Sequence, residues 1–285
     1  YEDLLIGSYE WNGAAGIETG RVELVYGGED GLQTTAPPVW SYEGAAAGDI
    51  LGTAVSRAGD VNGDGYDDLL VGAPGDDSMG PSAGQAFVFL GSPSGPGVAP
   101  DWASNVGGPG DETGCAVAAA GDVNGDGYCD VIVGARLAAV EGAAYCFLGS
   151  PTGLAATPVW TRTGVQTGEW FGHAVASCDK DGDGYSDLFV GAPYYDVLQP
   201  DQGRVLGYRG GPTGPDTTAT WQWDGSQFAP AQSGLNLGYA VSGVAAPDVW
   251  GDGIAFSSPW YDHGGLAEAG LVLVREQYSG HPMLG

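Results

Sequence analysis

The sequence predicts an all-β chain built of repeated four-stranded antiparallel sheets, the blades of a β-propeller. Three observations lead there. A nine-residue acidic segment recurs as DVNGDGYDD from Asp60, DVNGDGYCD from Asp122 and DKDGDGYSD from Asp179. Each copy is flanked by short apolar, partly β-branched runs that stop at Gly or Pro, which is a strand signature. The copies return after 62 and 57 residues, a period that suits one blade of four short strands. No segment longer than a few residues shows helical periodicity.

The elements follow in order. First strands are expected at LGTAVSRAG (51–59), TGCAVAAAG (113–121) and FGHAVASC (171–178), each running into an acidic loop. Second strands leave the loops as DLLVGAP (68–74), DVIVGAR (130–136) and DLFVGAP (187–193). Third strands read GRVELVYGG (20–28), GQAFVFLGS (84–92), GAAYCFLGS (142–150), GRVLGYRGG (203–211) and GLVLVRE (270–276). After a turn such as SPSGP (92–96) or SPTGL (150–154) comes a fourth strand marked by tryptophan, at PVW (38–40), PDW (100–102), PVW (158–160) and ATW (219–221). About five repeats are visible, with blades at about 1–44 (partial), 45–106, 107–164, 165–225 and 226–285 (partial). Recurrence of Trp40, Trp102, Trp160 and Trp221 in successive repeats points to packing between blades.

The acidic loops have the chemistry of a calcium site. A hard cation needs about six to eight oxygens at about 2.3–2.6 Å. Alternate residues of a tight loop turn their side chains inward, so positions 1, 3 and 5 converge. Glycine at position 6 permits the sharp turn, the carbonyl of position 7 is available, and the acid at position 9 closes the shell. The expected ligands are Asp60, Asn62, Asp64, Tyr66 (by its carbonyl) and Asp68; Asp122, Asn124, Asp126, Tyr128 and Asp130; and Asp179, Asp181, Asp183, Tyr185 and Asp187. An EF-hand would carry its last acid at position 12 and continue as a helix; here a strand follows position 9. Three calcium ions are therefore expected. A degenerate fourth loop, PDVWGDGIAFSSP (247–259), keeps Asp248 and Asp252, but Trp250 replaces the position-3 ligand and the position-9 acid is missing. It is expected to hold no ion.

At this point the residues resemble a known family. The unit is similar to the FG-GAP repeat of the integrin α-subunit propeller and its bacterial relatives. Phe171-Gly172 is the FG, with Leu51-Gly52, Thr113-Gly114 and Leu237-Gly238 as variants, and Gly72-Ala73-Pro74 and Gly191-Ala192-Pro193 are the GAP. The resemblance covers nearly the whole chain. It implies calcium in the loops between strands one and two, all on one face, with partner binding on the opposite face. It also implies about seven blades. Residues 1–7 align with 66–72, so the chain begins inside a loop and Asp3 matches the last ligand. The expectation is a fragment of a larger propeller, or one part of a split or oligomeric one, completed by another segment or chain.

Composition narrows the function classes. The formal net charge is −28, with 36 acidic residues against eight basic ones, of which Lys180 is the one lysine. Such a surface disfavours nucleic acid and anionic membrane. It also makes the acidic loops repel themselves without metal; three calcium ions would bring −28 to −22. No stretch of about 20 apolar residues is present, hence no membrane span. Fifty-three glycines with 43% hydrophobic residues fit a turn-rich folded chain. Four cysteines, Cys115, Cys129, Cys146 and Cys178, allow three full pairings; Cys129 with Cys146 is the best candidate pair, and buried free thiols are the alternative. Calcium loops of this kind fill readily outside a cell, so an extracellular or cell-surface location is expected.

Aromatic residues that do not recur suggest a binding patch. Tyr9, Trp11, Tyr194, Tyr195, Trp260, Tyr261 and the neighbouring His263 fall between strands two and three. Those loops share the face opposite the calcium loops. A ring beside a hydrogen-bonding group suits protein or glycan recognition. The main expectation is a non-enzymatic, calcium-stabilised adhesion or binding module. The alternatives are an enzyme or enzyme-attached domain acting on polysaccharide, with chemistry at His263 and Asp262, and a purely structural scaffold. No nucleophile elbow, phosphate loop or paired-histidine zinc motif is present.

Overall fold

The computed structural model describes residues 3–29, 31–32, 38–227, 232–244, 252–261 and 270–275. Asp248, Trp250, Asp262, His263 and His281 lie outside the described residues.

Five antiparallel sheets follow one another along the chain, each a simple meander. The first has β1 (Leu4–Ser8), β2 (Arg21–Val25) and, after a small hairpin of β3 (Gly27–Gly28) and β4 (Gly31–Leu32), β5 (Trp40–Glu43). The second has β6 (Ala54–Gly59), β7 (Asp68–Ala73), β8 (Gln85–Phe89) and β9 (Trp102–Ala103). The third has β10 (Thr113–Gly121), β11 (Asp130–Ala135), β12 (Ala143–Phe147) and β13 (Trp160–Thr163). The fourth has β14 (Ala174–Cys178), β15 (Asp187–Ala192), β16 (Arg204–Tyr208) and β17 (Trp221–Asp224). The fifth has β18 (Val241–Val244), β19 (Gly253–Ser258) and β20 (Leu271–Arg275). Helical structure among the described residues amounts to two single 3-10 turns, Ala138–Val140 and Gly225–Gln227.

The second strand of each complete sheet is its buried spine. Every residue of β7, β11 and β15 is buried, which accounts for their unbroken apolar runs: both faces of the sheet are covered by neighbouring sheets. The fourth strands differ from expectation in extent. Trp40, Trp160 and Trp221 open their strands rather than close them. Pro38, Pro100 and Pro158 stand just before, in the turn; a proline lacks the N–H a ladder needs.

Adjacent sheets dock by two devices. The first explains the FG and GAP motifs. A Cβ added at Gly7, Gly72, Gly134 or Gly191 would lie 2.1, 1.9, 2.0 or 2.1 Å from the carbonyl oxygen of Gly52, Gly114, Gly172 or Gly238 of the next sheet. Two backbones approach there more closely than any side chain permits. The second device is tryptophan. Trp40, Trp102 and Trp160 meet Phe89, Phe147 and Tyr208 of the next sheet edge to face, each at 4.9 Å between ring centres. Their indole N–H groups donate to the carbonyls of Gly97, Ala155 and Asp216 at 2.7, 3.1 and 2.8 Å. Each tryptophan thus buries its apolar body and still satisfies its polar edge. Trp221 departs from this: it tilts onto Phe189 of its own sheet at 5.9 Å, and Trp223 makes the contact to the next sheet, on Phe256 at 5.4 Å.

The expected Cys129–Cys146 pair is not formed; all four cysteines are free. The strands are adjacent and antiparallel, but the register sets Cys146 opposite Ile132. Cys129 precedes β11 and packs instead under Gly59 of the preceding sheet.

Candidate metal loops and an aromatic row

The acidic loops join strands one and two of the second, third and fourth sheets, at one end of the strands. Their conformations repeat. In the first, Asp60 accepts the N–H groups of Gly63 and Asp64 at Oδ1 (2.7 and 3.0 Å) and of Gly65 at Oδ2 (2.8 Å). Asp122 accepts the same three from Gly125, Asp126 and Gly127, and Asp179 from Gly182, Asp183 and Gly184. The position-1 carboxylate is therefore the hub around which the loop winds. At position 5, Asp64, Asp126 and Asp183 each accept the N–H of the tyrosine two residues on, at 3.0, 3.1 and 3.0 Å.

The position-9 acids are fully buried. Asp68, Asp130 and Asp187 accept one N–H from position 2 of their loop (Val61, Val123, Lys180) and one from the glycine two residues past strand three (Gly91, Gly149, Gly210), at 2.7–2.9 Å. Burial nonetheless outweighs these bonds and raises all three acids, Asp130 and Asp187 to about 7. Nearby aspartates of the same loop add to the rise. Asp3 accepts the N–H of Gly27 at 2.9 Å, the same bond that Asp68 makes to Gly91.

Loops of consecutive sheets touch one another. The N–H at position 8 donates to the position-1 carbonyl of the preceding loop, Cys129 to Asp60 (3.1 Å) and Ser186 to Asp122 (2.9 Å); in the fifth sheet Asp252, just before β19, makes the same bond to Asp179 (2.6 Å). The rings of Tyr128 and Tyr185 lie over Gly63 and Gly125 of the preceding loop, where a Cβ would sit 2.7 and 2.5 Å from a ring carbon. Tyr66 is 42% exposed.

Carboxylate oxygens of Asp179, Asp181 and Asp187 lie within 4.8 Å of one another, and among the described residues no other group of three acidic, histidine or cysteine ligands is so close. The first two loops carry Asn62 and Asn124 at position 3, so their third convergent oxygen is that of an amide. In the third loop Asp181 Oδ1 is buried without a hydrogen-bond partner, an oxygen available to a cation. Its other oxygen contacts Arg209.

At the opposite end of the strands, side chains from three sheets form a row. Arg136 stacks on Trp170 at 5.0 Å, and Trp170 meets Tyr194 at 4.6 Å and His173 at 5.6 Å. His173 continues to Tyr239 at 4.6 Å, and Tyr239 to Trp260 at 5.2 Å. Tyr239 and Trp260 are 38% and 39% exposed. Glu112 fixes Arg136 with two contacts of 2.6 and 2.7 Å. Burial, helped by Arg136, lowers His173 to about 4, so its imidazole is neutral at pH 7; its Nδ1 is buried without a partner.

Of the expected patch, the row gathers Tyr194 and Trp260. Tyr9 and Trp11 lie apart, exposed, with Arg21 over the Trp11 ring at 4.8 Å. Tyr195 packs against the core under Arg204, 3.8 Å from its ring centre, and Arg204 in turn pairs with the buried Glu169 at 2.8 Å. Tyr261 donates its N–H to Ser258 at 3.4 Å. Trp170, His173 and Tyr239 were not anticipated. They flank the FG position, where other repeats have Ile50, Thr53, Glu112, Cys115 and Asn236. An aromatic residue that appears at a repeat position in some blades only is the signal that marks them.

Four-stranded meanders with an acidic loop between strands one and two define a repeat protein of the propeller class. The chain carries FG-GAP repeats: the family model "FG-GAP repeat" matches residues 51–89 and 171–208. The chain is similar to integrin alpha-PS2 of Drosophila melanogaster, 36% identical over 54% of this chain and 12% of that protein. It is similar to integrin alpha-5 of Xenopus laevis, 30% identical over 72% of this chain and 20% of that one. It is also similar to the phosphatidylinositol-glycan-specific phospholipase D of Bos taurus, 30% identical over 80% of this chain and 29% of the phospholipase. The chain thus spans less than a third of each of these relatives. Among the described residues no helix is long and apolar enough to cross a membrane.

Proposed function

We propose that this chain is the calcium-stabilised part of an extracellular or cell-surface recognition protein, itself without catalytic activity. In this reading each of the loops 60–68, 122–130 and 179–187 holds one structural calcium ion. The observation that carries it is the third loop, where the carboxylates of Asp179, Asp181 and Asp187 converge within 4.8 Å and one Asp181 oxygen is buried without a partner. The first two loops share its backbone hydrogen bonds. The ion would supply positive charge to a cluster that otherwise repels itself, tying strand one to strand two and each loop to its neighbour.

The far end of the sheets is the proposed ligand face. Trp170, Tyr194, Tyr239 and Trp260 offer rigid apolar area beside Arg136, Glu112 and a neutral His173, a mixture suited to a protein or glycan ligand. Relatives named as integrins support a protein ligand. The phospholipase relative supports a second reading, in which such a segment is joined to an enzyme. Along β1, the edge strand of the three-stranded first sheet, another segment or chain would add a further strand.

The test is binding of the purified chain to an array of glycans and matrix proteins, in calcium and in chelator. Calcium-dependent capture of a defined ligand, lost in Trp260→Ala and Tyr194→Ala, is the expected result. Capture that survives both substitutions would remove the row from the ligand site.

A further inference from the structure

The third acidic loop is built differently from the first two. Position 3 is Asp181 where they have Asn62 and Asn124, and the residue after strand three is Arg209 where they have Leu90 and Leu148. The two changes are linked in space. In the first two loops the position-3 amide donates to the position-5 carboxylate, Asn62 to Asp64 at 3.0 Å and Asn124 to Asp126 at 2.8 Å. Asp181 has no such proton to give. Arg209 donates in its place: its guanidinium reaches Asp183 Oδ2 at 2.9 Å and Asp181 Oδ2 at 2.6 Å.

The charges compensate in the same way. Three carboxylates stand at the ligand positions of the first loop (Asp60, Asp64, Asp68) and of the second (Asp122, Asp126, Asp130), and four at those of the third (Asp179, Asp181, Asp183, Asp187). Arg209 returns the third to the value of the others. It does so from the outer side, since Asp181 Oδ1 remains without a hydrogen-bond partner while Oδ2 is engaged.

We propose that Arg209 is a built-in counter-ion that holds the outer oxygens of Asp181 and Asp183 and lowers the third loop's affinity for calcium to a value of its own. The proposal rests on the calcium reading given above. The guanidinium stabilises the loop when no cation is present and opposes a cation when one enters. Its charge acts close to the ion but from a side chain that is 45% exposed, so salt should screen it. At a separation of a few ångströms, and with solvent nearby, one unit charge acting on a divalent ion changes affinity roughly tenfold.

The experiment is a calcium titration of the full chain by calorimetry, with melting of the metal-free protein as a second readout. Wild type is compared with Arg209→Leu, the residue type beside the first two loops, with Arg209→Gln, which keeps a donor without charge, and with Arg209→Lys. An Asp183→Ala variant identifies the third site. Expected is a roughly tenfold rise in affinity at that site alone in the Leu and Gln variants, shrinking in 1 M salt, with a lower metal-free melting temperature; Lys should restore most of the wild-type value. If Arg209→Leu does not fold, the Gln variant gives the same reading. Unchanged or weakened third-site affinity in a folded Leu or Gln variant would overturn the proposal while leaving the calcium reading intact. No calcium uptake by any loop in wild type would overturn both.

Discussion

The two ends of the sheets obey different rules. At the loop end the three complete loops do the same thing: a position-1 aspartate collects three N–H groups and a buried position-9 aspartate collects two, and Tyr128 and Tyr185 each cover a glycine of the preceding loop. At the other end the equivalent positions carry isoleucine, glutamate, tryptophan and asparagine in turn, at Ile50, Glu112, Trp170 and Asn236. All four share a left-handed backbone, with φ of 47–57°. The frame there is fixed and the side chains are free to vary. Repetition marks what holds the blades together, and departure from it marks what a particular protein adds.

The sharpest way to break this division is at a packing glycine. Gly134→Val should abolish folding, although valine suits a strand better than glycine does. Its Cβ would meet the Gly172 carbonyl at 2.0 Å, and neither backbone can move without separating two sheets. Circular dichroism and melting would show it; a stable variant would mean that the close approach is not a requirement of the stack. Next in size is Trp160→Ala. Trp160 is 3% exposed, meets Tyr208 edge to face and donates to Asp216. Its loss should cost about 3–5 kcal/mol.

Calcium removal should come third. An ion present at about a hundredfold its dissociation constant adds about 2.7 kcal/mol per site. Chelation should therefore lower the melting temperature, and Asp64→Ala, Asp126→Ala and Asp183→Ala should each remove one bound ion. Equal stoichiometry in wild type and variants would sink the assignment of the loops.

A pH series sharpens the same point. In the metal-free chain Asp130 and Asp187 are raised to about 7, against an ordinary value of 3.8, because burial disfavours their charge. A raised carboxylate binds its proton more tightly folded than unfolded. The metal-free protein should thus gain stability as pH falls from about 7 toward 4. With calcium bound the trend should reverse, since protons then compete with the ion. Melting curves with and without chelator would test both signs; parallel curves would detach the position-9 acids from the metal.

How much of this was legible in the sequence follows the same division. Strand order, loop positions, the FG–GAP register and the packing tryptophans could be read because each was stated several times over. What failed was whatever depended on register or on stacking. Cys146 lies on β12 as expected, but Cys129 stops short of β11, three residues from Ile132, the residue opposite Cys146. Trp223 takes the inter-sheet contact that Trp221 was expected to make. Tyr195 looks like the partner of Tyr194, yet one turns to the core and the other to the row, as adjacent residues leaving a strand do. Trp170 precedes the expected first strand and His173 reads as a structural part of it; only the docking of sheets three, four and five brings them, with Tyr239, to Tyr194 and Trp260.

The smallest expected effect on stability is therefore the most informative about function. Trp260 is as large as Trp160 but 39% exposed, and its ring packs on Tyr239, itself 38% exposed. No later sheet depends on it among the described residues. Trp260→Ala should shift stability by only about 0.5 kcal/mol, as surface substitutions do. A matched pair of melts, Trp160→Ala against Trp260→Ala, measures the contrast directly. If both variants lost several kcal/mol, the row would be another packing device and the ligand face would have to be sought elsewhere. If Trp260→Ala melts like wild type, that large exposed ring is kept by something other than folding, and loss of ligand capture in the same variant would identify it.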